Sequence, residues 1–187
     1  MFAAGQGTHQ QGGAYTTVGM VFKHALSWIN FKVRTGNGLT DADPKIAINS
    51  ITLNNVPVNG TLTVTNGNYA TTGTECATAN LGATWSYTDA DRANMKLIKS
   101  GIVTGASKDD LPLTGAYEKF GDNGVLVIPS NQTSFTINYT ITQPDGTSTQ
   151  SGTSNTFNYT YNLKGDWQIA KKYVYKITMT LKEILIE

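Results

Sequence analysis

Apolar residues recur at every second position through almost the whole of this chain. In "TSFTINYTIT" (133–142) Phe135, Ile137, Tyr139 and Ile141 share one side, and in "NTFNYTYNL" (155–163) Phe157, Tyr159, Tyr161 and Leu163 do the same. Successive side chains of a strand point to opposite faces, so this period builds half-buried strands. No helical period persists anywhere. Between the two segments, "QPDGTSTQSG" carries the turn chemistry of Pro144, Asp145 and Gly146, so the pair reads as a hairpin with a long polar tip. "GVLVIP" (124–129) reads as a short, nearly continuous apolar strand ended by Pro129.

In several runs the alternation changes parity. "VGMVFKHALSWINFKV" (18–33) begins with Val18, Met20, Phe22, Leu26 and Trp28, then moves to Ile29, Phe31 and Val33. "IAINSITL" (46–53) goes from Ile46 and Ile48 to Ile51 and Leu53. An extra residue in a strand flips every later side chain to the other face, so each switch predicts a β-bulge or a strand that bends from one sheet into the other. The final "YVYKITMTLKEILIE" slips in the same way. Tyr173, Tyr175, Ile177, Met179 and Leu181 are odd, whereas Ile184 and Ile186 are even. A bulge or bend near Lys182 and Glu183 would turn the last residues either to the second sheet or to a surface where a partner strand joins. "VPVNGTLTV" (56–64) reads as a hairpin over Asn59-Gly60, a pair favoured in tight primed turns.

Residues 66–123 are less regular and rich in Gly, Asn, Thr and Asp; "DADRANMK" (89–96) is the best place for a helical turn, with Asp89 as its cap. No repeat period or linker divides the chain. The reading is an all-β fold, a two-sheet sandwich of about eight to ten mostly antiparallel strands with a long irregular middle region. Its division is an N-terminal arm or inter-domain stretch over 1–17 and one sandwich domain over 18–187. Charged residues are 14% of the 187, against roughly 25% in ordinary soluble domains. Thr, Asn, Ser and Gly supply the polarity instead, which suits strands with one wet face.

The same numbers exclude some functions. A net charge of +1 gives no electrostatic case for nucleic acid. No run approaches the roughly 18 apolar residues of a membrane-spanning helix. "MFAAGQGTHQQGG" lacks the basic start and apolar run of a signal peptide, so the chain is either cytoplasmic or a piece of something longer. The single cysteine, Cys76, has no internal disulfide partner and no nearby ligand partner. His9 lies in a Gly/Gln-rich stretch, and His24 falls on the inward parity between Phe22 and Leu26, as a core histidine would. No serine has a nucleophile-elbow context and no glycine run makes a phosphate loop. The acidic pairs of "DADP" (41–44), "DADR" (89–92) and "KDDL" (108–111) are turn formers rather than a calcium loop. No catalytic, metal or cofactor-binding residue is therefore assigned, and no cofactor is expected. Trp28 and Trp85 fall within apolar runs and read as core. Trp167, beside a Gly-Asp turn, either packs over a sheet edge or offers a sugar-stacking platform.

Three segments together resemble a known family. They are "VFKHALSWINFKV", "VLVIPSNQTSFTINYTIT" and "LKGDWQIAKKYVYKITMTLKEILI" with its Gly-x-Trp, Lys-Lys-Tyr and Tyr-x-Ile-Thr elements. In order and spacing they resemble the C-terminal domain of fimbrillin-like proteins, the type V pilin superfamily, from about Met1 to Glu187; 66–123 matches only as a variable region. The resemblance implies an exported lipoprotein of two β-sandwich domains that builds, caps or anchors surface fimbriae and serves in adhesion. It implies that "MFAAGQGTH" enters the second domain. The signal segment, the lipidated cysteine and the first domain would then precede this chain, and Cys76 would stand too far inside to be the lipid site. The implied partners are other pilin subunits or host and bacterial surface ligands, with no nucleic acid and with a membrane only through that upstream anchor.

The mechanism so implied is strand addition. An open sheet edge and apolar groove accept a neighbour's extended segment through main-chain hydrogen bonds and alternate side-chain pockets. Ile184, Leu185 and Ile186 form the candidate assembly strand. A glycan-binding sandwich, with Trp167 or the tyrosines of 155–161 as contacts, is the alternative, and a hydrolase with two converging carboxylates is a further rival.

Overall fold

The computed structural model describes residues 2–6, 19–36, 44–65, 82–103, 110–131, 134–143 and 153–187. Cys76, His9, the hairpin tip 144–152 and most of "DADP" and "KDDL" lie outside the described residues. The strands in chain order are β1 (Phe2–Gln6), β2 (Gly19–Lys23), β3 (Ser27–Thr35), β4 (Lys45–Pro57), β5 (Thr61–Thr65), β6 (Gly82–Ser86) and β7 (Arg92–Ile98). After them come β8 (Gly101–Val103), β9 (Leu111–Pro112), β10 (Glu118–Val127), β11 (Ser134–Thr142), β12 (Ser154–Asn162), β13 (Lys172–Met179) and β14 (Ile184–Ile186).

Two sheets enclose the core. One is four-stranded in the order β10-β3-β13-β14; the other is six-stranded, β12-β11-β4-β7-β8, with β9 also paired to β4. All neighbours in them run antiparallel except β3 and β13, which are parallel. The fold is the all-β sandwich expected, with two further two-stranded sheets, β1-β2 and β5-β6. β1 draws part of the 1–17 stretch into pairing with β2.

Period-2 burial places the core. In β3, Ser27, Ile29, Phe31, Val33 and Thr35 are buried while the even residues face out. Across the sandwich, Phe31 meets Phe135 edge-on at 5.1 Å between ring centroids, and Phe135 lies 5.3 Å from Tyr175. Such contacts favour one packing over its alternatives beyond simple area burial. On the other side of the six-stranded sheet the polar residues pair laterally. Thr136 and Thr160 (3.0 Å), Asn138 and Asn158 (2.8 Å), Thr140 and Thr156 (3.1 Å), and Thr142 and Ser154 (2.9 Å) form hydroxyl and amide ladders between β11 and β12. This is where the uncharged polarity of the chain resides.

The parity switch in β4 is a bulge. Asn138 pairs with Ser50 and Tyr139 with Ile48, so Asn49 is the extra residue. Its amide donates to Asn138 Oδ1 (2.8 Å) and Thr140 Oγ1 (2.9 Å), which anchors the bulge to β11. A second bulge opposite β7, with Asn55 at φ 55°, flips the strand again, so that Ile46, Ile48, Ile51, Leu53 and Val56 all reach the core. The switch at 18–33 is instead a strand break. The chain leaves the β1-β2 sheet at Lys23 and enters the four-stranded sheet at Ser27.

Three local expectations are corrected. Asn59-Gly60 turns the chain but closes no hairpin, because β5 pairs with β6 and the end of β4 pairs with β7. Asp89 is not a cap: Thr88 precedes the 3₁₀ turn Asp89–Asp91, and Asp91 Oδ2 accepts from both Thr88 N and Thr88 Oγ1 at 2.8 Å. The residues that follow are strand β7 rather than helix. His24 is exposed in the break between β2 and β3, not in the core.

Candidate functional site

The C-terminal slip is a reverse turn. Thr180 Oγ1 accepts from Lys182 N (3.2 Å) and Glu183 N (2.9 Å), and Thr180 N donates to Glu183 O (2.9 Å). One hydroxyl thus fastens the turn and sends β14 back along β13, with Met179 opposite Ile184 and Ile177 opposite Ile186. The expected bulge or bend to the second sheet is not there. Ile184 and Ile186 pack partly buried against the same core as Ile177 and Met179, and Leu185 is 48% exposed.

The hydrogen bonds orient the edge. Lys176 and Glu187 exchange N–H···O bonds of 3.0 Å in both directions. Bonded and non-bonded pairs alternate in an antiparallel ladder, so the N–H and C=O of Ile184 and Ile186 point away from β13. Among the described residues no strand lies on that side. The candidate strand therefore carries two outward donors, two outward acceptors and two anchored apolar side chains. The sequence reading missed a second open edge, β12, which offers nine residues against three. Its alternation was legible, but alternation alone does not say which strand of a sheet is last.

Trp167 lies on the connection that crosses from β12 in one sheet to β13 in the other. It is 2% exposed, and its indole Nε1 donates to Tyr175 Oη at 2.9 Å. Its backbone N–H donates to Ser130 O at 3.1 Å. A ring enclosed on both faces offers no stacking surface, so Trp167 as a glycan contact is corrected to a core plug. Tyr159 and Tyr161 also lean on the core; of that strand's aromatics Phe157 is exposed. Burial pushes the Tyr175 hydroxyl above its ordinary range, opposed by the Trp167 bond.

The tryptophan that does reach the surface is Trp28, 38% exposed and not in the core as expected. It lines an open cavity of about 440 Å³ with His24, Leu26, Leu126 and Lys172. Trp85 is half-buried and donates to Ala25 O at 2.8 Å. Among the described residues no three His, Cys, Asp or Glu side chains come together as metal ligands would.

Comparison with known proteins decides the family. The model for fimbrillin-like proteins matches residues 1–187. The chain belongs to the fimbrillin-like family. Among solved structures, this fimbrillin-like chain is similar to a candidate cell adhesion protein from Bacteroides uniformis ATCC 8492, at 17% identity and a TM-score of 0.37. The similarity covers 90% of this chain and 50% of that one, so the fimbrillin-like chain spans about half the length of that protein. No curated protein matches it.

Proposed function

We propose that this chain is a non-enzymatic structural or adhesive part of a surface fimbria, a subunit or accessory component, and that it assembles by strand addition at β14. Membership of the fimbrillin-like family over residues 1–187 carries the fimbrial reading. The outward backbone groups of Ile184 and Ile186 support the mechanism, since an incoming segment would find donors, acceptors and an apolar flank in one place. The same reading puts the protein at the cell surface, among other pilin subunits, held through a lipid anchor outside residues 1–187.

Ile186→Pro removes an outward N–H without touching a bond to β13, whereas Ile186→Ala loses the side chain and keeps the N–H. In the full-length processed protein, filaments seen by electron microscopy should vanish in the proline variant and persist in the alanine variant. Filaments in both would refute β14 as the joining edge. A full-length protein that stays monomeric by light scattering and forms no filaments would refute polymerisation itself.

A further inference from the structure

We propose that the outer face of the four-stranded sheet binds a linear acidic polysaccharide. Lys119 of β10 pairs in register with Lys32 of β3, and Lys32 with Lys176 of β13. All three are exposed and share the face opposite the core. Adjacent strands lie about 4.8 Å apart, and like charges directly opposite one another destabilise a sheet. Among the described residues no carboxylate lies within ion-pair distance of any of the three; the Arg92–Asp89 pair is elsewhere. The fold therefore holds three ammonium groups in a row without an ion pair, Lys176 having only the Tyr117 ring 5.9 Å from its Nζ and Glu187 across from it where the row ends, an arrangement that an anionic ligand would relieve.

The rest of the face extends the row. Arg34, two residues along β3, lies 4.3 Å from the Tyr117 ring centre and donates Nε to Thr178 Oγ1 at 3.1 Å. These contacts hold the guanidinium in place and leave its terminal nitrogens available. At the other end Lys172 sits in register with Trp28, its Nζ 4.0 Å above the indole centre, and Lys171 lines the cavity beside them. Lys172 and Lys176 are four residues apart, or about 13 Å along the strand. Neutral Asn30 and Val174, themselves in register, fill the interval. Glu187, paired to Lys176 by its backbone, and Asp122, in the β10 excursion, are the acidic residues at the margins. The chain's net charge of +1 thus conceals a strongly cationic face.

The chemistry of the face selects among anions. Five of the six cations are lysines, compact point charges that suit sulfate or carboxylate groups in varied orientations, whereas arginine dominates where phosphate is gripped in a fixed fork. Single-stranded nucleic acid is held on successive free aromatic faces, but this face has one exposed indole, at one end, and its other ring, Tyr117, is taken up by Arg34 and Lys176. An apolar ring surface beside a cation fits a sugar ring whose neighbour bears an acid. The face is distinct from the outward backbone edge of β14, so the inference stands whether or not the chain polymerises.

The test uses monomeric chain 1–187 and four probes: heparin, polygalacturonate, neutral dextran and oligo(dT), at 50 and 150 mM salt by calorimetry. Heparin or polygalacturonate should bind, dextran should not, and oligo(dT) should be at least tenfold weaker than the better glycan at equal salt. Lys32→Gln with Lys176→Gln should weaken glycan binding at least tenfold, and Trp28→Ala at least threefold. Lys96→Gln, on the other sheet, should change nothing. The double variant should melt no lower than the parent, because removing the repulsion offsets any lost contact. Absence of glycan binding, equal or tighter oligo(dT) binding, indifference to Trp28→Ala, or a lower melting temperature in the double variant would each overturn the proposal.

Discussion

Replacing Trp167 by alanine tests the claim that this residue plugs the end of the sandwich. The side chain is 2% exposed, so nearly all of its contact surface would be lost into a cavity. Truncating a buried Phe or Trp to Ala costs about 3–5 kcal/mol. The Tyr175 hydroxyl would also lose its donor at 2.9 Å; it is half-buried and can turn to water, so about 1 kcal/mol is added. A loss of about 4–6 kcal/mol would lower the melting temperature by roughly 8–24 °C, at about 2–4 °C per kcal/mol for a chain of this size. Trp167→Phe keeps most of the volume and loses the hydrogen bond, so its drop should be about a third as large. Thermal unfolding followed by far-ultraviolet circular dichroism reads both. If Trp167→Ala melted within 2 °C of the parent, the ring would not be part of the core and the burial reasoning would fail.

Three further outcomes follow from local geometry. Gly124 has φ +88° and a Cβ placed there would collide with the backbone oxygen of Ile29, so Gly124→Ala should cost about 3 kcal/mol, read as a shift in urea midpoint. An unchanged midpoint would mean that β10 and β3 separate freely there. Tyr175 titrates above its ordinary value because of burial, so its share of stability is full below about pH 10 and is lost as pH rises through the folded value. Tyr175→Phe should flatten that alkaline loss while lowering the plateau by about 1 kcal/mol; equal alkaline slopes in the two proteins would count against it. The Thr88 hydrogen bonds hold the Asp91 carboxyl below its ordinary value, so its stabilising effect is present above about pH 4 and disappears as pH falls through the folded value. An NMR titration should place the Asp91 midpoint under 3.8 in the parent and move it only part of the way back in Thr88→Val, which loses the hydroxyl bond but keeps the larger backbone one, and an unshifted parent would refute the capping geometry.

Faces were legible in the sequence; partners mostly were not. Period 2 marked β3, β11, β12 and β13, and the parity change at Asn49 revealed a bulge, because facing is a local property of the backbone. The hairpin of β11 and β12 was also legible, since its turn joins neighbouring strands. Asn59-Gly60 misled because its signal specifies a turn and not the strand that follows it home; β6 and β7, far along the chain, took those pairings. Trp28 left its expected place for a similar reason, and Trp167 took the packing reading rather than the stacking one. Trp28 has the even parity of the outer face of β3, which neighbouring Ile29 obscured. Trp167 lies in a crossing segment, where no period exists to report burial. The lysines of the cationic face were each on an outward parity, but the register that lines them up depends on β3 pairing parallel to a strand more than a hundred residues later.

That parallel pairing also decides how the molecule bears load. Eight register pairs join β3 to β13, from Trp28 with Lys172 to Thr35 with Met179. Tension applied along the chain would pull β3 by its start and β13 by its end, which are opposite ends of two strands running the same way. After the short β14 peels, the rungs between them would be strained together in shear rather than opened one at a time like a zipper. Resistance to stretching would then reside in the middle of the four-stranded sheet, as a mechanical clamp assembled from the two ends of the sequence.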